Sequence, residues 1–441
     1  MRVTRRTAAR FVSIVLACSL LPLRPSAAQS TSRQQLSPNI AAALTLDEAV
    51  REALEHNLTL VAERYSVAVA DARILTAQLR PNPVITANAM FPDATVYANN
   101  ISPREQVFRT DVVLEGGRKR DRRIEVAQAA KSVAELQFLN TMRTVVLDVE
   151  NAFVEVVLAK LNATLAHESL DAFNALVRVN TERVRTGDLS AVELARSRLA
   201  ALQFQNEVRQ QEAKLAIARN KLNTLLGRNR AGPIDAAGEL RREGDPVNIG
   251  LLRERALALR PDVLALRRDQ ARSAADLRLQ IAQGKIDYTV SGEVHHQHQP
   301  GPPDASGFLY GVYASVPLPI FNRNQGEVER ARQEAAQIGA RLRALEADVN
   351  HEVDAAYESY TAARDVVGTI EAQMLSQARD VRSTTEYSYR RGEASFVEFL
   401  DAVRAFNETM QSYNDARADF ARSLYTLDAI GGGPAPQKVT P

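Results

Sequence analysis

The sequence predicts a mainly α protein with a small β part, built from long antiparallel coiled-coil helices in two internal repeats. Three observations lead there. Arg185-Thr186-Gly187-Asp188-Leu189-Ser190-Ala191-Val192-Glu193 and Arg390-Arg391-Gly392-Glu393-Ala394-Ser395-Phe396-Val397-Glu398 are near copies, with their glycines 205 positions apart in a chain of 441 residues. Each puts a glycine after a long helical pattern, where a left-handed residue ends a helix, and then Ser-x-x-Glu, the capping box that opens another. Two such reversals imply a duplicated unit of about two hundred residues. From Arg118 to Thr186 there is neither proline nor glycine, which predicts one helix roughly 100 Å long. Four short stretches switch to a period of two, the pattern of strands.

Composition agrees with this class. Aromatic residues are only 5 % and tryptophan is absent, as in helical bundles rather than compact enzymes. The 55 basic and 53 acidic residues nearly cancel, so no basic face argues for nucleic acid.

The elements follow in order. Residues 1–28 read as a signal peptide: Arg2, Arg5, Arg6 and Arg10 precede an apolar run from Phe11 to Leu21, Pro22 breaks it, and Ser26-Ala27-Ala28 offers a cleavage site before Gln29. Val15-Leu16-Ala17-Cys18 also resembles a lipobox, so lipidation at Cys18 is the alternative to ordinary cleavage. Cleavage at Ala28 removes the sole cysteine, so no disulfide or thiol chemistry is expected. Beyond the leader no run of about 18 apolar residues occurs, which excludes a membrane-spanning helix and leaves a β-barrel as the only means of crossing a bilayer.

Residues 29–43 are a flexible entry, and repeat 1 spans 44–227. Thr45-Leu46-Asp47-Glu48 is a capping box that opens a helix running to about Arg80, where Pro81 and Pro83 stop it. Ile85, Ala87, Ala89 and Phe91 then alternate with Thr86, Asn88 and Met90. After a loop, Phe108, Thr110, Val112 and Leu114 share one face opposite Arg109 and Asp111. The long helix follows, with a seam at Leu139, Met142, Val146, Val149, Phe153 and Val156 and again at Leu170, Phe173 and Val177. Its return helix, Ser190 to Leu226, covers about half that distance.

Residues 228–248, rich in glycine and proline, form a linker, and repeat 2 spans 249–430. Arg260-Pro261-Asp262 matches Asn57-Leu58-Thr59. Tyr288, Val290, Gly292 and Val294 oppose Asp287, Thr289, Ser291 and Glu293; Phe308, Tyr310, Val312, Ala314, Val316 and Leu318 share a face, and Pro317 and Pro319 end that strand. A helix from about Gln325 to Arg391 carries a seam with a stutter near Val349. The last helix starts at Ser395, and 431–441 reads as a disordered tail.

Four strands are too few to close a barrel, so the sheet must close between chains. The helices, with initial and final half-helices stacked end to end across repeats, would continue it as a hollow cylinder. A tunnel hanging from a membrane pore is the consequence.

Leu44-Thr45-Leu46-Asp47-Glu48-Ala49 with Ala53-Leu54 and Asn57, the paired glycine reversals, and Val316-Pro317-Leu318-Pro319-Ile320-Phe321-Asn322-Arg323-Asn324-Gln325-Gly326 resemble the TolC family of outer-membrane efflux proteins over essentially all of 29–441. The last motif is most similar to the CzcC branch, which serves divalent heavy-metal efflux. The resemblance implies a homotrimer closing a twelve-stranded barrel in outer-membrane lipid, with a periplasmic helical tunnel. It further implies a periplasmic adaptor and an inner-membrane pump of the resistance-nodulation-division type as partners. Multidrug efflux and type I secretion through the same fold are alternatives, as is a periplasmic coiled-coil adaptor or structural protein. No cofactor is expected, and the absence of a nucleophile motif, phosphate loop or HExxH argues against an enzyme.

As third residues of their helices, Glu193 and Glu398 have a sufficient role in bonding back to Ser190 and Ser395. By resemblance, the same two positions, with Asp401 and Tyr389, fall where the family narrows its tunnel, and Arg185, Gly187, Arg390 and Gly392 form the adaptor-docking edge. Ala394 stands where some relatives carry a basic residue that locks the tip, so an ionic latch does not carry over. Glu293, His295, His296 and His298 are the one cluster with metal-ligand chemistry. On a strand Glu293 and His295 share the polar face while His296 points away, and a site needs three or four convergent ligands. Solvated histidines near the extracellular mouth are therefore expected, with Glu293 and His295 the candidates for a metal.

Overall fold

The computed structural model describes residues 44–99, 103–229, 234–243, 247–298 and 306–432. The leader, the 29–43 entry, the loop at 299–304 and all but the first two residues of the tail lie outside them.

Helices α1 (Leu46–His56) and α2 (Leu58–Gln78) replace the single opening helix that the sequence suggests. Asn57 interrupts it: its side-chain oxygen accepts from the N–H groups of Thr59 and Leu60, and its amide donates to the Leu225 carbonyl at 2.8 Å. A residue that caps a new helix in this way draws the backbone out of the old one. The second repeat breaks at the matching place, between α6 (Ile249–Leu259) and α7 (Pro261–Gln283), where Arg260 is extended and Pro261 opens α7.

Strands β1 (Val84–Met90), β2 (Arg104–Leu114), β3 (Tyr288–His298) and β4 (Gly307–Ser315) form one antiparallel sheet in chain order. The register pairs Val107 with His295, Arg109 with Glu293 and Asp111 with Ser291, so the predicted polar faces coincide. Val316 and Leu318 lie beyond β4, while a short helix, α3 (Ala94–Ala98), capped by Asp93, occupies the expected loop.

The predicted long helix is α4 (Lys119–Thr186), 68 residues or about 100 Å. It packs on α1, α2, α7, α5 (Ala191–Leu225) and α10 (Phe396–Ile430). Seam residues Val149, Phe153, Val156 and Phe173 are buried. The counterpart of α4 is not one helix: α8 (Gln325–Thr369) passes into a π-helical turn over Ile370–Met374 before α9 (Leu375–Arg391). At the predicted stutter α8 runs on, with Val349 and Val353 fully buried. The break falls twenty residues later, just after Gly368 and after Thr369, whose hydroxyl bonds back to the Asp365 carbonyl at 2.9 Å. Both residues weaken the local helix ladder.

Half-helices do meet end to end, but within each repeat rather than across repeats. Gly227, after α5, lies so close to the end of α1 that a Cβ would stand 2.1 Å from the His56 carbonyl oxygen. Gly432, after α10, lies against Leu259 at the end of α6 less tightly, where a Cβ would stand 3.1 Å from the Leu259 Cβ. At Gly227 the contact excludes a side chain, and both glycines have positive φ.

Candidate functional site

The two reversals close identically. Gly187 and Gly392 have φ of 84° and 82°. The Gly187 N–H donates to Val184 and that of Asp188 to Arg183; the Gly392 N–H donates to Tyr389 and that of Glu393 to Ser388. These paired bonds satisfy the last carbonyls of α4 and α9. Around Gly187 there is open space, and the nearest group to a Cβ on Gly392 is the Arg183 guanidinium, 4.0 Å away. The reversals therefore sit side by side. Arg185 and Arg390 project into solvent from the last turns, paired only with Glu182 (2.8 Å) and Glu386 (2.6 Å) of their own helices.

The capping boxes differ. Ser395 and Glu398 form the reciprocal pair, with the Ser395 N–H donating to the Glu398 carboxylate at 2.7 Å. Those bonds from the Ser395 backbone and hydroxyl hold the Glu398 carboxyl below the usual range. At the first reversal only the serine half forms: the Glu193 N–H donates to the Ser190 hydroxyl at 3.2 Å, and the Glu193 carboxylate makes no return bond. Its charge instead acts on Tyr389. Glu193 is half-buried, and Glu398 and Asp401 are exposed.

Tyr389, unlike these three carboxylates, is buried. Only 3 % of it is exposed, and its ring stacks on Phe399 at 5.3 Å within a cluster that includes Phe173, Phe396 and Val403. Its hydroxyl exchanges hydrogen bonds with the side-chain amide of Asn180 at 3.0 and 3.2 Å. Burial pushes the phenol up, so it stays neutral. Asn180, fully buried on α4, was missed from the sequence. The available signal was its place three residues beyond Val177, continuing the apolar seam with a polar residue.

In the sheet, the outward face carries Phe108, Val112, Leu114, Val290, Phe308, Tyr310 and Val312, all more than a third exposed. The opposite face carries an ion pair from Arg109 to Asp111 at 2.8 Å, with Ser291 bonded to both. Glu293 and His295 lie on that inner face and do not converge: His295 faces Glu105 at 3.6 Å. His296 packs on Phe308, and His298 contacts Ser306. Among the described residues no three His, Cys, Asp or Glu side chains are placed to share a metal ion.

A four-stranded sheet with an apolar outer face and two unpaired edges, standing on helices about 100 Å long, defines a subunit of a membrane β-barrel channel. The chain belongs to the outer membrane efflux protein family, whose model matches residues 49–228 and 252–433. It is 23 % identical over 426 residues to the cobalt-zinc-cadmium resistance protein CzcC of Cupriavidus metallidurans, covering 96 % of this chain and 99 % of that one. It is 24 % identical to the cation efflux system protein CusC of Escherichia coli over 65 % of this chain and 64 % of that one, just under two thirds of its length. Crystal structures of CusC superimpose with a TM-score of 0.73 at 18 % identity, covering 91 % of this chain and 96 % of that one. The outer membrane protein VceC of Vibrio cholerae gives 0.72 at 18 %, covering 88 % and 96 %. The protein is thus an outer-membrane efflux channel.

Proposed function

We infer that three copies of the chain form the exit duct of a tripartite pump that expels divalent heavy-metal cations. The sheet carries this reading. Four strands with open edges and an apolar outer face are unstable alone in lipid, and three copies supply enough strands to close a barrel. The apolar stripes of Leu58, Tyr65, Val69 and Leu75 on α2 and of Val192, Leu199, Leu202 and Ile217 on α5, exposed in one chain, give neighbouring copies their helical contacts. The metal cargo is supported by the full-length likeness to CzcC, a cobalt-zinc-cadmium resistance protein. No catalytic step is involved, because a conduit only has to be wide and wettable.

The periplasmic end is the gate. Glu193, Glu398 and Asp401 follow the two reversals, so threefold symmetry gathers nine carboxylates around the axis, where they attract cations and repel one another. Tyr389 acts from behind them, fastening α9 to α4 through Asn180. Arg185, Gly187, Arg390 and Gly392 form the outermost edge, where a periplasmic adaptor joined to an inner-membrane pump docks.

Deleting the gene should raise sensitivity to cobalt, zinc or cadmium more than to organic drugs, and restoring it should reverse this. Greater sensitivity to drugs would assign the duct to multidrug efflux.

A further inference from the structure

Where the sheet meets the helices, beneath the two central strands, a cleft of about 650 Å³ opens between the start of α4 and the end of α7. That volume is typical of a small-molecule site. Its walls bear Arg122, Arg278 and Lys285 and, toward the sheet, Ile286, Tyr288 and Pro319. Strand parity gives its direction. Tyr288 pairs with Leu114 on the apolar outward face, and Ile286 lines the cleft two residues before it. Glu115 and Asp287 have the opposite parity, and their charges are taken up by Arg123 and Lys119.

The charge inside the cleft is uneven. Arg122 holds Glu125 at 2.8 Å, and Arg278 approaches the same carboxylate at 3.6 Å. Lys285 is exposed and has no ion pair among the described residues. Two of the three cations thus share one carboxylate, and the third has none. Toward the sheet the surface is apolar: Tyr288, which lines the cleft, its pairing partner Leu114, and Leu318, Ile320 and Phe321 on either side of the lining residue Pro319 are 52 to 90 % exposed. The unpaired sheet edges are β1 and β4, so a neighbouring copy joining there leaves the cleft under β2 and β3 open to lipid.

We propose that this cleft binds the headgroup of an anionic glycerophospholipid of the periplasmic leaflet, one per chain. Arg278 and Lys285 take the phosphate, with Arg122 behind them, while Tyr288 and Phe321 lie along the acyl chains at the depth where aromatic side chains prefer to sit. The occupant is a lipid rather than a free anion because the cations are rimmed by apolar surface on the membrane face. Such a ligand would fix the height of the barrel in the bilayer at the point where strands become helices.

Native mass spectrometry of the assembled full-length channel, titrated with dioleoylphosphatidylglycerol, tests this. One lipid per chain should be retained in preference to dioleoylphosphatidylcholine, and millimolar inorganic phosphate should not displace it. Lys285→Gln should weaken retention about fivefold, and the double variant with Arg278→Gln about twentyfold, since each cation near an anionic headgroup contributes a factor of this size. The single variant removes an exposed, unpaired charge and should assemble normally, so it alone is decisive. Unchanged retention in that variant, equal retention of phosphatidylcholine, or displacement by phosphate would overturn the proposal.

Discussion

Glu398 joins two roles in one carboxylate. Its bonds to Ser395 cap α10, and the same bonds keep it ionised at pH values where an ordinary glutamate begins to protonate. Replacing Glu398 with Gln and Asp401 with Asn keeps size and most of the capping, so the start of α10 should hold. The assembled double variant should lose cation selectivity and divalent block in a planar bilayer; if both persist, Glu398 is only a cap and the gate assignment fails. Glu150 on α4 is a second carboxylate set by its surroundings. Burial pushes it up to about 7, Asp428 adds to the shift, and Arg241 opposes it; Tyr425 lies beside them. A carboxyl raised on folding costs nothing below about pH 4.5, where both states are protonated. It destabilises progressively as pH rises from there to about 7, reaching on the order of 3 kcal/mol above it. Glu150→Gln should therefore raise the apparent melting temperature at pH 8 and leave it nearly unchanged at pH 4.5.

Among the elements, α4 is held in register by a row of polar pairs set in an apolar seam. Asn162 meets Asn414 at 2.9 Å, Ser169 exchanges bonds with Asn407 at 3.0 and 3.2 Å, and Asn180 meets Tyr389. Pairs of this kind, part-buried at Asn162 and Ser169 and fully buried at Asn180, reward one alignment, because a slipped helix leaves each of them unpartnered. Tyr389→Phe should cost about 1 to 3 kcal/mol by stranding the Asn180 amide, and adding Asn180→Leu should recover most of it in thermal melts. A loss that the second substitution does not recover would place the value of Tyr389 elsewhere in its aromatic cluster. The positions of Asn180 and Tyr389 within long helices were legible from periodicity alone, as were the strands and reversals. Their meeting was not, because they are 209 residues apart and nothing local marks the pair. The breaks at Asn57 and Ile370–Met374 escaped because the apolar pattern passes through both unchanged; at Asn57 the break rests on side-chain bonds that compete with the helix. Glu193 and Glu398 read alike in sequence, yet only Glu398 closes its box, since that choice lies in the surroundings of the side chain.

For the whole molecule, open edges on β1 and β4 predict a trimer in detergent, and native mass spectrometry should find no folded monomer. A stable monomer extracted from membranes would remove the barrel. The two halves of the chain, though built to one plan, are not mechanically equal. In the first, α4 is a single uninterrupted rod. In the second, the π turn at Ile370–Met374 divides the equivalent rod, and at that point Tyr413 donates to Glu371 at 2.6 Å while Arg242 of the linker reaches the Tyr413 hydroxyl at 2.9 Å. Around a closed trimer, three stiff staves would then alternate with three jointed ones, each joint pinned by the linker. A tube made this way cannot widen evenly like a ring. Bending at the three π turns would part its lower end into three leaves, well above the reversals, while the uninterrupted rods stand still.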